Sequence, residues 1–225
     1  MTTPTHNPTT PRIVTVRQKI LKANDFAAAE NRSTFAQAGV RAINLVSSPG
    51  AGKTALLERT LRDLAGTLHM VVAVGDLATE NDAARLRQWG AQAEQIVTGT
   101  VCHLDAAMVQ AVLPRFDLEA LEVLFLENVG NLVCPSSYDL GEAARAVLIS
   151  TTEGEDKPLK YPTMFNTADV VVITKMDLAE AVEFDLALCR ENIDRARPGV
   201  PVIELSSKKG TGLDEWYAFV RGGPP

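Results

Sequence analysis

After Gly39 the chain alternates between short apolar runs and longer stretches in which apolar and polar residues recur at helical spacing. INLV at 43–46, MVVAV at 70–74, VLFL at 123–126, AVLI at 146–149, VVVI at 170–173 and PVIEL at 201–205 are each four or five residues long. Such runs lack polar alternation, which fits strands buried on both faces, and the intervening helices supply the crossovers that parallel strands need. A weaker strand, QIVT at 95–98, precedes a helix predicted to start near His103. The predicted fold is therefore α/β, a mostly parallel sheet flanked by helices, in one domain over residues 39–225. Upstream, Ile20, Ala23, Ala27 and Phe35 predict an amphipathic extension of one or two helices over residues 12–38. Residues 1–11, MTTPTHNPTTP, offer no apolar face and predict a disordered tail.

Composition narrows the possibilities. A chain of 225 residues, 46% hydrophobic, is long enough for one large core and short for two domains. The three cysteines, Cys102, Cys134 and Cys189, are an odd number in a sequence with neither a signal peptide nor a long apolar run. A disulfide framework and a membrane span are thereby disfavoured, and the cytoplasm is the expected compartment. A net charge of −6 without blocks of like charge gives no basis for a nucleic-acid groove or a membrane-binding patch.

The string SSPGAGKT at Ser47 to Thr54 follows the first strand and opens a helix, the context that a phosphate-binding P-loop requires. Loop amides point at an anion, Gly50 and Gly52 let the backbone approach, and Ala51 lies between them. Lys53 reaches the terminal phosphates and the Thr54 hydroxyl can ligate Mg²⁺. Ser47 stands where the motif has glycine. An acid on a neighbouring strand should hold the metal, and two qualify: Asp76, followed by a polar loop with Thr79, Glu80 and Asp82, and Glu127. Glu127-Asn128-Val129-Gly130 has the acid-x-x-Gly spacing by which many GTPases sense the γ-phosphate, with the Gly130 amide as sensor.

Thr174-Lys175-Met176-Asp177 is similar to the N-K-x-D guanine-recognition motif. The Asp177 carboxylate accepts from the two guanine donors, whereas adenine lacks the second; such a bidentate pair discriminates by about 1–3 kcal/mol. Lys175 would lay its stem on the purine plane. Thr174 replaces the motif's Asn and weakens the contact usual there. Ser207 and Lys208, after the last strand, occupy the place of a second base-contacting loop.

Cys102 and His103 are adjacent, and Cys134 follows Glu127 by seven residues. In a parallel sheet the loops after the strands gather on one edge, so these side chains fall within reach of one another and of the nucleotide. Two thiolates and an imidazole suit Zn²⁺ or Ni²⁺, with a fourth ligand missing that a second subunit could supply.

Over nearly all of residues 39–220 the sequence resembles the hydrogenase nickel-incorporation GTPases of the HypB family, in SPGAGKT, GDLATENDAARL, GTVCHLDAAMV, ENVGNLVCP and KYPTMFNTADVVVITKMDL. The resemblance implies a P-loop GTPase of the dimerising class that includes the signal-recognition, MinD and BioD proteins. It also implies a nickel or zinc site on Cys102, His103 and Cys134 near a subunit interface. The implied function is GTP-dependent delivery of nickel to the large-subunit precursor of [NiFe]-hydrogenase, with a HypA-type metallochaperone as partner. Slow intrinsic turnover is expected from the residues, since Asn131 and not Gln or His follows Gly130 and no cis arginine finger stands out. The nickel-storing His-rich or cysteine motif that some members carry near the N-terminus is not expected here, since residues 1–40 hold only His6 and no cysteine. The Cys-Pro-His motif of the related UreG proteins does not occur either.

Overall fold

The computed structural model describes residues 12–76 and 81–223, with side chains from residue 16 onward except 17. The expected tail over 1–11 and the loop residues Thr79 and Glu80 lie outside that set. Strands β1 (Arg41–Ser47), β2 (Met70–Asp76), β3 (Gln92–Val97), β4 (Val123–Glu127), β5 (Ala144–Ser150), β6 (Val170–Thr174) and β7 (Val202–Glu204) form one sheet in the order β3-β2-β4-β1-β5-β6-β7. Every pairing is parallel. The helices are α1 (Arg12–Ala38), α2 (Lys53–Leu64), α3 (Asn81–Arg87), α4 (Ala106–Val112), α5 (Lys157–Lys160), α6 (Pro162–Asn166), α7 (Leu186–Ala196) and α8 (Leu213–Val220).

The period of two in each strand sorts its side chains between two helical layers. Ile43 and Leu45 of β1 join Leu56, Leu57 and Leu61 of α2 and Trp216 of α8 on one face. Ala42 of β1 and Leu124 and Leu126 of β4 face Phe35 of α1 and Val109 of α4 on the other. That second face continues under α6 and α7, where Val147 and Val171 meet Phe165 and Ile193. With both faces covered, β4, β5 and β6 are buried along their whole lengths, as their unalternating sequences predict. Edge strand β3 keeps a mixed pattern of exposed and buried positions, hence its weaker signal.

Two expectations shift. The helix after β3 begins at Ala106 rather than near His103, because the Asp105 carboxylate caps it by accepting from the Met108 amide at 2.8 Å. Cys102 and His103 therefore sit in the preceding turn. The N-terminal extension is one helix, and of the residues that predicted it Phe35 is buried and Ala27 half-buried, whereas Ile20 and Ala23 are exposed. Ile20 is 52% exposed, whereas Asn24, Ala28, Asn31 and Phe35 point inward.

Because all seven strands run the same way, the loops at their C-terminal ends share one edge. β1 sits beside β4, and β4 beside β2, so the loop after β1 is flanked by Glu127 and next by Asp76.

Candidate nucleotide and metal site

The loop between β1 and α2 turns on two glycines with left-handed backbone, Gly50 at φ 77° and Gly52 at φ 98°. Lys53 and Thr54 open α2, placing the helix N-terminus at the floor of a cleft of about 440 Å³. Gly52, Lys53, Thr54, Asp76, Glu127 and Gly130 line this cleft. Lys53 is 8% exposed, and burial pulls its ammonium pKa down. Its Nζ donates to Ser47 Oγ at 2.9 Å, so the residue that departs from the P-loop pattern holds the lysine in place.

Glu127 ends β4 at 3% exposure. Burial pushes its carboxyl up to about 7, against the opposing pull of Lys53 and the Thr54 hydrogen bond. The Thr54 hydroxyl donates to Oε1 at 2.7 Å, while Oε2 is buried with no hydrogen-bond partner among the described residues. An unpartnered carboxylate oxygen beside a threonine hydroxyl is a donor set suited to a hard cation such as Mg²⁺. Asp76, at the end of β2, lines the same cleft. Gly130 packs so closely against the phosphate loop that a Cβ there would lie 2.8 Å from Pro49 Cα. The cleft thus has the size, floor and cations for a polyphosphate.

The residues predicted to recognise a base gather on the neighbouring loops. Thr174 donates from Oγ1 to the Ala51 carbonyl at 2.6 Å, so this departure from the N-K-x-D pattern keeps a direct tie to the phosphate loop. Lys175 adopts a left-handed backbone with φ 57°. Asp177 accepts from Ser206 Oγ at 2.5 Å through Oδ1, joining the two loops. Ser207 and Lys208 follow on the second loop and border a smaller depression beside Ala55.

Cys102, His103 and Cys134 meet at the same edge, with their ligand atoms all within 4.8 Å of one another. The two sulfurs are 3.0 Å apart, and both cysteines are free. That hydrogen bond, together with burial, pushes the Cys134 thiol above its ordinary range, with Asn131 pulling the other way. Burial lowers the His103 pKa, which favours the neutral imidazole, and its Nδ1 is buried without a hydrogen-bond partner among the described residues. The ring lies 3.9 Å from that of Tyr138, centroid to centroid. Two sulfurs and a neutral imidazole fit a soft divalent ion, whose binding would expel the thiol protons. Cys189 is remote from this cluster, buried in the core beside Ile193, and burial raises its thiol to about 12.

The segment after β4 joins the two centres, and sequence reasoning missed the side chains responsible. Asn128, 2% exposed, accepts through Oδ1 from the amides of Leu104 and Val129, each at 3.0 Å. Asn131 donates to the Cys102 carbonyl at 3.3 Å and accepts from the Val133 amide at 2.8 Å. Each therefore grips the turn that carries Cys102 and His103 from a chain segment that also forms the cleft wall. Their one sequence signal is adjacency to Glu127 and Gly130; the partners are 24 and 29 residues away.

A family model described as CobW/HypB/UreG, nucleotide-binding domain, matches residues 41–204. The hydrogenase maturation factor HypB of Rhizobium leguminosarum bv. viciae is 49% identical over 209 residues, covering 93% of this chain and 70% of that protein. The hydrogenase/urease maturation factor HypB of Helicobacter pylori is 44% identical over 211 residues, 92% of this chain and 86% of that one. Among solved structures, HypB from Helicobacter pylori in complex with nickel has a TM-score of 0.83 at 43% identity, covering 88% of this chain and 93% of that chain. HypB from Archaeoglobus fulgidus gives 0.84 at 39% identity, with coverage of 89% and 98%.

Proposed function

The chain belongs to the HypB family of hydrogenase maturation factors, and from that premise we propose that it is a GTP-hydrolysing metallochaperone that binds Ni²⁺ or Zn²⁺ and supports nickel insertion into [NiFe]-hydrogenase. The observation that carries this reading is the stretch from Glu127 to Cys134. It has the Thr54–Glu127 contact at one end and a thiol at the other, and its asparagines hold the turn bearing the remaining donors. Loss of the γ-phosphate at Gly130 would shift Cys134 relative to Cys102 and His103, converting hydrolysis into a change of metal affinity.

In this reading Lys53 and the loop amides hold the phosphates, while Thr54 with Glu127 or Asp76 would hold Mg²⁺, which would supply charge neutralisation for the phosphoryl group. Asp177 and Lys175 recognise guanine, with Ser207 and Lys208 closing the base from the other side. Turnover is slow. Asn131, next to the sensor glycine, is occupied with the Cys102 carbonyl and the Val133 amide, so this side chain is not free to position a water. Arg85 borders the cleft but is held by Glu58 at 2.9 Å. Three donors leave a four-coordinate ion incomplete, which supports a homodimer that shares the metal. A HypA-type metallochaperone and the hydrogenase large-subunit precursor are the partners, and the cytoplasm is the compartment. Among the described residues no helix is long and apolar enough to cross a membrane.

The test is metal content and solution mass with GDP or a non-hydrolysable GTP analogue, for wild type and Cys102→Ala. Wild type should carry nickel and the variant should lose it; equal stoichiometry in both would remove the thiol site. A passive metal buffer is the rival, and it predicts that Lys53→Ala delivers nickel as well as wild type does.

A further inference from the structure

The N-terminal helix touches both arms of the proposed metal site. Its inward face presents Asn24 and Asn31, 7% and 1% exposed, where an amphipathic helix would ordinarily place apolar residues. Each asparagine joins two separate segments. Asn24 accepts from the Ala106 amide at 2.9 Å and donates to the Asp139 carbonyl at 2.8 Å. Asn31 donates to the carbonyls of Ala106 at 2.8 Å and Leu140 at 3.1 Å. Ala106 opens α4, three residues after His103, and Asp139 comes five residues after Cys134. On the outer side Arg32 donates to both carboxylate oxygens of Asp139, at 2.8 and 2.7 Å. Gly141 lies so close to the helix that a Cβ would fall 2.6 Å from the Ala28 carbonyl oxygen.

We propose that α1 is a bracket for the metal site, in which Asn24 and Asn31 act as positioning residues that fix the spacing between the Cys102–His103 arm and the Cys134 arm. The inference rests on the metal-binding reading above. Asn31 Oδ1 has no hydrogen-bond partner among the described residues, a cost that an apolar side chain in that place would not carry. The asparagines are therefore not the choice that packing alone favours, and what they supply is the cross-tie. The other links between the arms are the Cys102–Cys134 sulfur contact, the His103–Tyr138 ring contact, and Asn128 and Asn131 on the segment that leaves the nucleotide cleft. Without the bracket, donor spacing would rest on these loop contacts alone, with no helix to brace them. Groups outside the ligand shell that orient metal ligands typically change affinity by about 10–100-fold.

The test is a nickel titration of the full chain in GDP, read by thiolate-to-nickel charge-transfer absorption, alongside the thermal midpoint. The proteins are wild type, Asn24→Ala, Arg32→Ala, Cys102→Ala and Ile193→Ala, the last a truncation on the buried face of α7, in a core cluster other than the one that holds Phe35 of α1. The bracket predicts that nickel binds about tenfold or more weakly in Asn24→Ala. It predicts a smaller weakening in Arg32→Ala, whose ion pair is on the surface, and wild-type affinity in Ile193→Ala. Wild-type affinity in Asn24→Ala at a lowered midpoint would overturn it, and so would equal weakening in Ile193→Ala. If Asn24→Ala does not fold, unchanged affinity in Arg32→Ala overturns it instead. Identical spectra for wild type and Cys102→Ala would reject the metal site itself, and the bracket with it.

Discussion

Burial holds the Glu127 carboxyl at about 7, from an ordinary 4.5, although Lys53 and Thr54 favour its charged form. Between those two values the folded protein keeps a proton that the unfolded chain has released. The stabilisation is complete below about pH 4.5 and is lost as pH rises through about 7. Urea unfolding of the nucleotide-free protein should show this as a decline of at most about 1.4 kcal/mol per pH unit from this group. Glu127→Gln should flatten that part of the slope; a variant with the wild-type slope contradicts the assignment. At the base loop, Asp177→Asn should weaken GTP binding by about 1–3 kcal/mol and favour xanthosine triphosphate, measured by competition; indifference to the exchange would favour a kinase. Lys53, Thr54, Asp177 and the Cys-His pair stood out as candidates because each belongs to a short string with fixed spacing. Ser47 and Thr174 read as mere departures from such strings. Their hydroxyls act on Lys53 and on the Ala51 carbonyl, and the latter is 123 residues from Thr174.

Helices and strands were legible where burial is uniform and less so where a polar group decides the outcome. The unbroken apolar runs marked the strands, but the Asp105 cap set the start of α4 and two asparagines set the inward face of α1. Apolar periodicity cannot report either choice. The segment after β4 yields a prediction of its own. A methyl group on Gly130 would collide with backbone atoms of Pro49, so Gly130→Ala should push this segment off the phosphate loop. We expect loss of GTP hydrolysis and of any preference between GTP and GDP, with the chain still folded and still binding nickel. Circular dichroism, nucleotide competition and nickel titration measure these separately. Wild-type hydrolysis in that variant would exclude the close approach as part of the cycle.

At the scale of the whole molecule, parallel topology does the gathering. Strand order places β4 between β1 and β2, so the chain that leaves Glu127 for Cys134 passes beside the phosphate loop before it reaches the turn after β3. This shared edge was predictable from the α/β pattern, whereas the hydrogen bonds that stiffen the link were not, since they depend on which loop lies beside which. The proposed coupling must be reciprocal by thermodynamic linkage: the factor by which GTP would change nickel affinity is the factor by which nickel would change GTP affinity. Asn131→Ala, which frees the Cys102 carbonyl, should bring that factor closer to one while leaving the P-loop contacts intact. The most direct measurement is a pair of nickel titrations of the wild-type protein, one saturated with GDP and one with a non-hydrolysable GTP analogue. The account predicts dissociation constants that differ by about fivefold or more; superimposable curves would contradict it.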